Sequence, residues 1–443
     1  MVDTIDKVLF EGLTVCWRCG KAVKGKMILR GEKNLNYLIY DCPKDGVYEH
    51  LLGKEKFSYL DLISQKIPAY WPRWEPQLGM KWDDTTIINR ENLPVLVFAV
   101  TTKCNSSCKI CSLSEFNNMP SNNLDINFIK DKLSYYKGKE VILCGGEVTT
   151  REDLPELIKV VKKSGNIPVL QTNGLRLADK GYVRKLKKMG INHVHFSFDG
   201  FKEKIYEKIR GGKHEYNLKL TALDNLVKEK IRVSLTTVII KGINEDQISK
   251  IISYAYNSRY IIEIAFLCFC LTPTGQKNGF TPDNILSSEE VKKIAAEYLC
   301  ISEEDFLLWD EFKTNLAVYL GKLKSVLPFL PAPVFLNGMI YFKRGANGIS
   351  PLLNKKELNT LIFALKNNKF GKLFTLLGAK TIKMILRNCF VPHLSEDMFY
   401  YKENMFKISV ISPLNTYCFS PTSLTSFGFY DPNIGLYNKI HQR

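Results

Sequence analysis

The sequence predicts an α/β fold: a partial (β/α)6 TIM barrel, preceded by a small N-terminal metal ribbon and followed by a mostly helical C-terminal region. Three observations carry that expectation. Between residues 93 and 280, six short β-branched runs alternate with stretches of helical period. Ahead of them, cysteines gather at 16–19 and at 42. After 281 the pattern turns helical and irregular.

The N-terminal module spans residues 1–66. "CWRC" (16–19) forms one knuckle and "CPKDG" (42–46) resembles a second, with 22 residues between Cys19 and Cys42. That spacing suits a zinc-ribbon or rubredoxin-like site holding Zn2+ or iron. Cys16, Cys19 and Cys42 are the expected thiolate ligands. Asp45 stands where the second knuckle places a fourth ligand, and His50 is the alternative. Unrelated buried thiols are the bland reading. Residues 67–92 form a Pro/Trp-rich linker expected to lie against the next domain, because exposed tryptophans are costly.

The core occupies residues 93–280. Its six runs are "LPVLVFAVT", "EVILCGG", "IPVLQTNG", "HVHFSFDG", "RVSLTTVII" and "IEIAFLCFC". Each ends in a polar or glycine-rich turn, and loops at the carboxyl ends of parallel strands gather a site. A closed barrel needs eight units, so six predict an open or partial one. The helical region, 281–443, completes the chain as a substrate or cap region.

The chain has 443 residues, 45% hydrophobic and 12% aromatic, which excludes a disordered protein. Net charge is +17, and residues 341–390 hold ten Lys or Arg against Glu357 alone. Such an excess raises an anionic lipid or membrane surface, nucleic acid or an anionic substrate as partners, against a solvated basic face. "MVDTIDKVLF" lacks a basic and then apolar signal, so a cytoplasmic location is expected, peripheral to a membrane if the basic stretch 358–388 binds one. There, twelve cysteines read as metal ligands and buried thiols. The apolar run 326–342 carries Pro328, Pro331 and Pro333, and reads as an apolar loop or a substrate-channel wall rather than a membrane span.

"TTKCNSSCKIC" (101–111) follows the first core strand and places Cys104, Cys108 and Cys111 on one loop. Zinc would want a fourth protein ligand, and no second CxxC lies in this region. Three thiolates suit a [4Fe–4S] cluster with one open iron. Here the chain resembles the radical S-adenosylmethionine (SAM) enzymes. C-x3-C-x2-C is their signature, and "CGGEVTT" resembles their GGE motif. By that resemblance Gly145, Gly146 and Glu147 bind the SAM amino group, while Asn173 of "QTNG" and Ser197 and Asp199 of "SFDG" reach its ribose or carboxylate. "KGINEDQI" is similar to the loop that lines the adenine, through Gly242, Ile243 and Asn244. A helix N-cap for Glu147, and turn or cap roles for Asn173, Ser197 and Asp199, are the structural alternatives. Val148 stands where many relatives have proline, and Ile110 where an aromatic residue is common.

The resemblance implies that the cluster, reduced by a ferredoxin- or flavodoxin-type donor, cleaves SAM to a 5′-deoxyadenosyl radical that abstracts hydrogen from a substrate. The cysteine module, the "CPxHG"-like turn and "TPTG" also resemble the archaeal tetraether lipid synthase group, which implies an apolar or lipid substrate. That group's auxiliary clusters would need further cysteines, here Cys268, Cys270, Cys300, Cys389 and Cys418. A radical SAM RNA-modifying enzyme and a non-catalytic iron–sulfur or zinc sensor are the alternatives.

Overall fold

The computed structural model describes residues 7–15, 22–31, 35–54, 95–111, 123–134, 138, 140–326, 339–345, 348–367 and 405–411. Cys16, Cys19, the linker 67–92, Cys389 and Cys418 lie outside these residues.

The first sheet is antiparallel, its strands in chain order: β1 (Lys7–Val15), β2 (Ala22–Arg30), β3 (Leu35–Cys42) and β4 (Gly46–Lys54). Alternation along β3 buries Leu38, Tyr40 and Cys42 on one face. The turn into β4 is tight, with Cys42 paired to Gly46 and Gly46 at φ 80°. Gly25 pairs with Tyr40, so the Val15/Ala22 end of one hairpin and the Cys42/Gly46 end of the next share one end of the sheet.

All six predicted core runs form strands. β5 (Val95–Thr101), β6 (Glu140–Gly145), β7 (Ile167–Thr172), β8 (His193–Ser197), β9 (Arg232–Ile239) and β10 (Ile261–Cys268) lie side by side in chain order, every neighbouring pair parallel. Between them run α1 (Ile126–Leu133), α2 (Leu154–Lys163), α3 (Lys180–Met189), α4 (Glu203–Ile209), α5 (His214–Lys228) and α6 (Ile248–Asn257). In α2, Leu154, Leu157, Ile158 and Val161 recur at helical spacing and are all buried. Asp179 caps α3 at its start, and Gly190, at φ 102°, closes it. These helices bury one face of the sheet, including Val141, Leu143, Val194, Phe196, Val233, Leu235, Ile264 and Phe266, none of them exposed.

Beyond residue 281 helix outweighs strand among the described residues, but three strands that the sequence reading did not expect are present as well. α7 (Pro273–Lys277) follows β10 within the core, and beyond 281 come α8 (Ser288–Leu299), α9 (Glu303–Val326), β11 (Met339–Gly345), β12 (Gly348–Pro351), α10 (Lys355–Lys366) and β13 (Met405–Ile411). β13 pairs parallel to β10, β11 antiparallel to β13, and β12 forms the outer edge, giving nine strands. Without them β10 would be an exposed apolar edge. The stretch read as an apolar loop thus ends in a strand, Met339–Gly345, while 327–338 lie outside the described residues. Of the basic stretch 358–388, the described part belongs to α10, whose Leu358, Leu361 and Ile362 are buried in packing. Among the described residues no helix is long and apolar enough to cross a membrane.

Candidate cluster and cofactor site

The cysteine loop leaves β5 at Thr101 and is held by its neighbours' backbone. Gly146 N–H donates to Thr101 O, and Glu147 N–H to Lys103 O, both at 2.8 Å. A Cβ on Gly145 would fall 2.2 Å from Thr101 O, and one on Gly146 2.4 Å from Lys103 O. The two glycines therefore exist here to let β6's exit pack against the cysteine loop.

A second clamp comes from the α4–α5 connection. Lys109 N–H donates to Ile209 O at 3.1 Å, and its Nζ to Glu207 O at 3.0 Å. Ser106 Oγ donates to Glu215 Oε1 at 2.5 Å, where Gly211 N–H also arrives at 3.1 Å. Arg210 reaches Cys108 Sγ at 3.8 Å through Nη1, while Nε and Nη2 bind Asp199. From β7, Asn173 Nδ2 bonds Asn105 Oδ1 at 2.8 Å and stands 4.0 Å from Cys104 Sγ. Cys104 is exposed, and Cys108 and Cys111 are half-buried. Although the residue keeps contact with solvent, desolvation by the loops packed around its thiol, aided by Glu147 and the other two thiols, pushes Cys104 up to about 11.

The three thiols stand near one another but do not form a ready-made metal arrangement; among the described residues no three His, Cys, Asp or Glu side chains do. Three thiols on one clamped loop are nonetheless the donor set that an iron–sulfur cluster takes.

The remaining sequence-predicted residues meet this loop or brace it. Glu147, 1% exposed, caps a short 3-10 turn at Val148–Thr150. Its Oε1 accepts from Thr149 N, Thr149 Oγ1 and Thr172 Oγ1, and Oε2 from Asn173 N at 2.7 Å. Acceptor capacity remains chiefly at Oε2. Asp199 is fully buried and committed to Arg210 at 2.7 and 2.8 Å. Asn244 is likewise buried, donating to Asp199 O and Val238 O. Gly242, at φ 77°, and Ile243 give their N–H groups to the Glu245 carboxylate. Ser197 ends β8 half-buried.

Sequence reasoning passed over Ser106, Arg210, Glu215 and Lys219. Lys219, fully buried, donates to Asn173 O at 2.6 Å and Ser197 O at 2.8 Å, tying the ends of β7 and β8 together. Burial and the nearby Arg210 lower it to about 8. The signal lay in "IRGGKHE" (209–215), an arginine and two glycines after an amphipathic helix. In the N-terminal sheet, Cys42 Sγ lies 3.5 Å from Asp45 Oδ2, and His50 sits along β4 opposite Leu38, away from that turn. Cys270 donates to Leu51 O at 3.8 Å, and Cys300 caps α8 at φ 54°.

Residues 98–255, from β5 into α6, match the Radical SAM superfamily. The chain carries a radical SAM domain. It is 31% identical over 256 residues to the 7,8-dihydro-6-hydroxymethylpterin dimethyltransferase of Methanocaldococcus jannaschii, covering 55% of this chain and 49% of that protein. It is 37% identical over 158 residues to the Fe-coproporphyrin III synthase of Methanosarcina barkeri, covering 34% and 39%. With the GTP 3′,8-cyclase of Clostridium perfringens it shares 32% over 208 residues, covering 45% and 62%. The chain thus spans between 39% and 62% of the length of these relatives.

Proposed function

We propose that Cys104, Cys108 and Cys111 hold a [4Fe–4S] cluster and that the chain uses it to cleave SAM and take hydrogen from a substrate. When bound, the cluster and SAM supply one-electron cleavage of a carbon–sulfur bond and a deoxyadenosyl group able to abstract hydrogen. One observation carries the reading: the exits of β6 and β7 and the α4–α5 connection all close on the single loop bearing the three thiols.

The protein's own residues hold and orient. Gly145 and Gly146 bring the β6 exit onto the loop, and Glu147 offers Oε2 to a cationic group. Asp199 fixes Arg210, whose charge is available to an anionic group beside Cys108. Lys219 sets the spacing of Asn173 and Ser197, and Asn244 ties the β9 exit to Asp199. A one-electron donor of the ferredoxin or flavodoxin type supplies the electron. In the N-terminal sheet, Cys42 and Asp45 share a turn, which supports a metal site completed by Cys16 and Cys19.

The apolar or lipid substrate has no support among the similar proteins, whose names specify a pterin, a coproporphyrin and GTP. Anaerobic reconstitution with iron and sulfide, followed by dithionite and SAM, tests the proposal. The expected result is about four irons on this loop and release of 5′-deoxyadenosine. Equal release by wild type and Cys104→Ala would sink it.

A further inference from the structure

Glu215 is a buried acid with half of its acceptor capacity empty. It lies in the first turn of α5 and is 1% exposed. Its Oε1 accepts from Ser106 Oγ at 2.5 Å and from Gly211 N–H at 3.1 Å. Its Oε2 is buried as well, and meets no hydrogen-bond donor among the described residues. Lys219, one turn along the helix, is directed elsewhere, to Asn173 O at 2.6 Å and Ser197 O at 2.8 Å. A carboxylate kept only for stability would use both oxygens, because an empty buried acceptor keeps its desolvation cost.

The work of this carboxylate falls on Ser106. The Ser106 hydroxyl lies 3.2 Å from Cys108 Sγ, and its backbone N–H bonds the Cys104 thiol. One residue thus touches two of the three sulfurs. A carboxylate only accepts, so Glu215 takes the single hydroxyl proton and leaves the oxygen lone pairs facing Cys108. While Cys108 is a thiol, its S–H can donate to that oxygen. As an iron-bound thiolate it has no proton to give, and it meets an oxygen rather than a donor. On its other flank Arg210 Nη1 stands 3.8 Å away, with Nε and Nη2 held by Asp199.

Hydrogen bonds to the sulfurs and nearby charge set the reduction potential of an iron–sulfur cluster. A sulfur that receives no proton from its neighbour, beside a buried negative charge, makes an added electron less stable. We propose that Glu215, acting through Ser106, is a positioning residue that holds the reduction potential of the cluster low and so makes the reduced cluster a stronger one-electron donor. The inference rests on the [4Fe–4S] reading of Cys104, Cys108 and Cys111, and names the residue outside the cysteine loop that tunes the group.

Redox titration of the full, reconstituted chain without SAM, followed by the electron paramagnetic resonance of the reduced cluster, tests it. Glu215→Gln keeps the size, removes the charge and offers Ser106 an amide donor, which frees the hydroxyl to turn toward Cys108. The reduction equilibrium should shift about tenfold toward the reduced form, a rise of about 59 mV for one electron. Ser106→Ala should raise the potential too, and adding Glu215→Gln to it should change little more. Ser106→Thr, which keeps the hydroxyl, should titrate with wild type. Equal potentials in wild type and Glu215→Gln overturn the inference, and so does a Glu215→Gln effect that persists in full without the Ser106 hydroxyl. If Glu215→Gln loses its cooperative melting transition, the two Ser106 variants decide, and an alanine variant that titrates with wild type overturns the inference. Iron content keeps the two readings apart: about four irons on the loop with an unmoved potential defeats this inference alone, while no cluster in wild type defeats the cluster reading and this one with it.

Discussion

Arg210 and Asp199 are a bidentate pair with a fully buried carboxylate, and neither can lose its partner cheaply. Arg210→Ala should lower stability by about 3–5 kcal/mol in urea unfolding, with partial recovery in the Asp199→Ala, Arg210→Ala double variant. Lys219 gives a signed pH effect. Its folded value, about 8, lies below the ordinary 10.5, so between those values the unfolded chain binds more protons than the native one. The charge cost that Lys219 imposes below about pH 8 is therefore relieved as pH rises toward 10.5. Relative to Lys219→Met, the wild-type urea midpoint should climb across that window; parallel profiles would show that the buried amine does not titrate there. Glu147 shows how much a motif conceals. The sequence offers its carboxylate to a ligand, but four internal donors already hold it, and those donors come from residues 149, 172 and 173.

The element that decides the cysteine loop is not only its own strand but also the turns packed on it. Gly146→Ala would push a methyl group into Lys103 O and Thr102 O, at 2.4 and 2.6 Å, and backbone cannot swing aside as a side chain does. Iron retained after reconstitution should fall severalfold in Gly146→Ala, while melting changes little because the clash lies at the sheet's rim. Glu215→Ala removes the acceptor for Ser106 and Gly211. It should cost about 1–3 kcal/mol and speed hydrogen exchange across 104–111, unless the clamp is dispensable, in which case exchange there stays as in wild type. The glycines at 145 and 146 were legible as a motif. The partners at 210–219 were not, because their importance comes from a contact across about a hundred residues of chain, such as Ser106 to Glu215, that no local pattern encodes.

At the scale of the whole molecule, the sheet is finished by the last strand described. β13 covers β10 and brings Lys407 to Glu263 at 3.2 Å. A chain ending at residue 366 would uncover that edge and leave Glu263 without its cation, so it should aggregate in size-exclusion chromatography; a monodisperse, cooperatively melting product would count against β13's role. The sequence by itself determined the six parallel strands, their helices and the loop with three thiols, because period and spacing are local properties written in neighbouring residues. Only the tertiary structure decided that β11, β12 and β13 join the same sheet and that Arg210 and Glu215 brace the cysteines. Strand order and register are set by packing and pairing between segments far apart in the chain, and a period of two is the same whichever neighbour a strand takes.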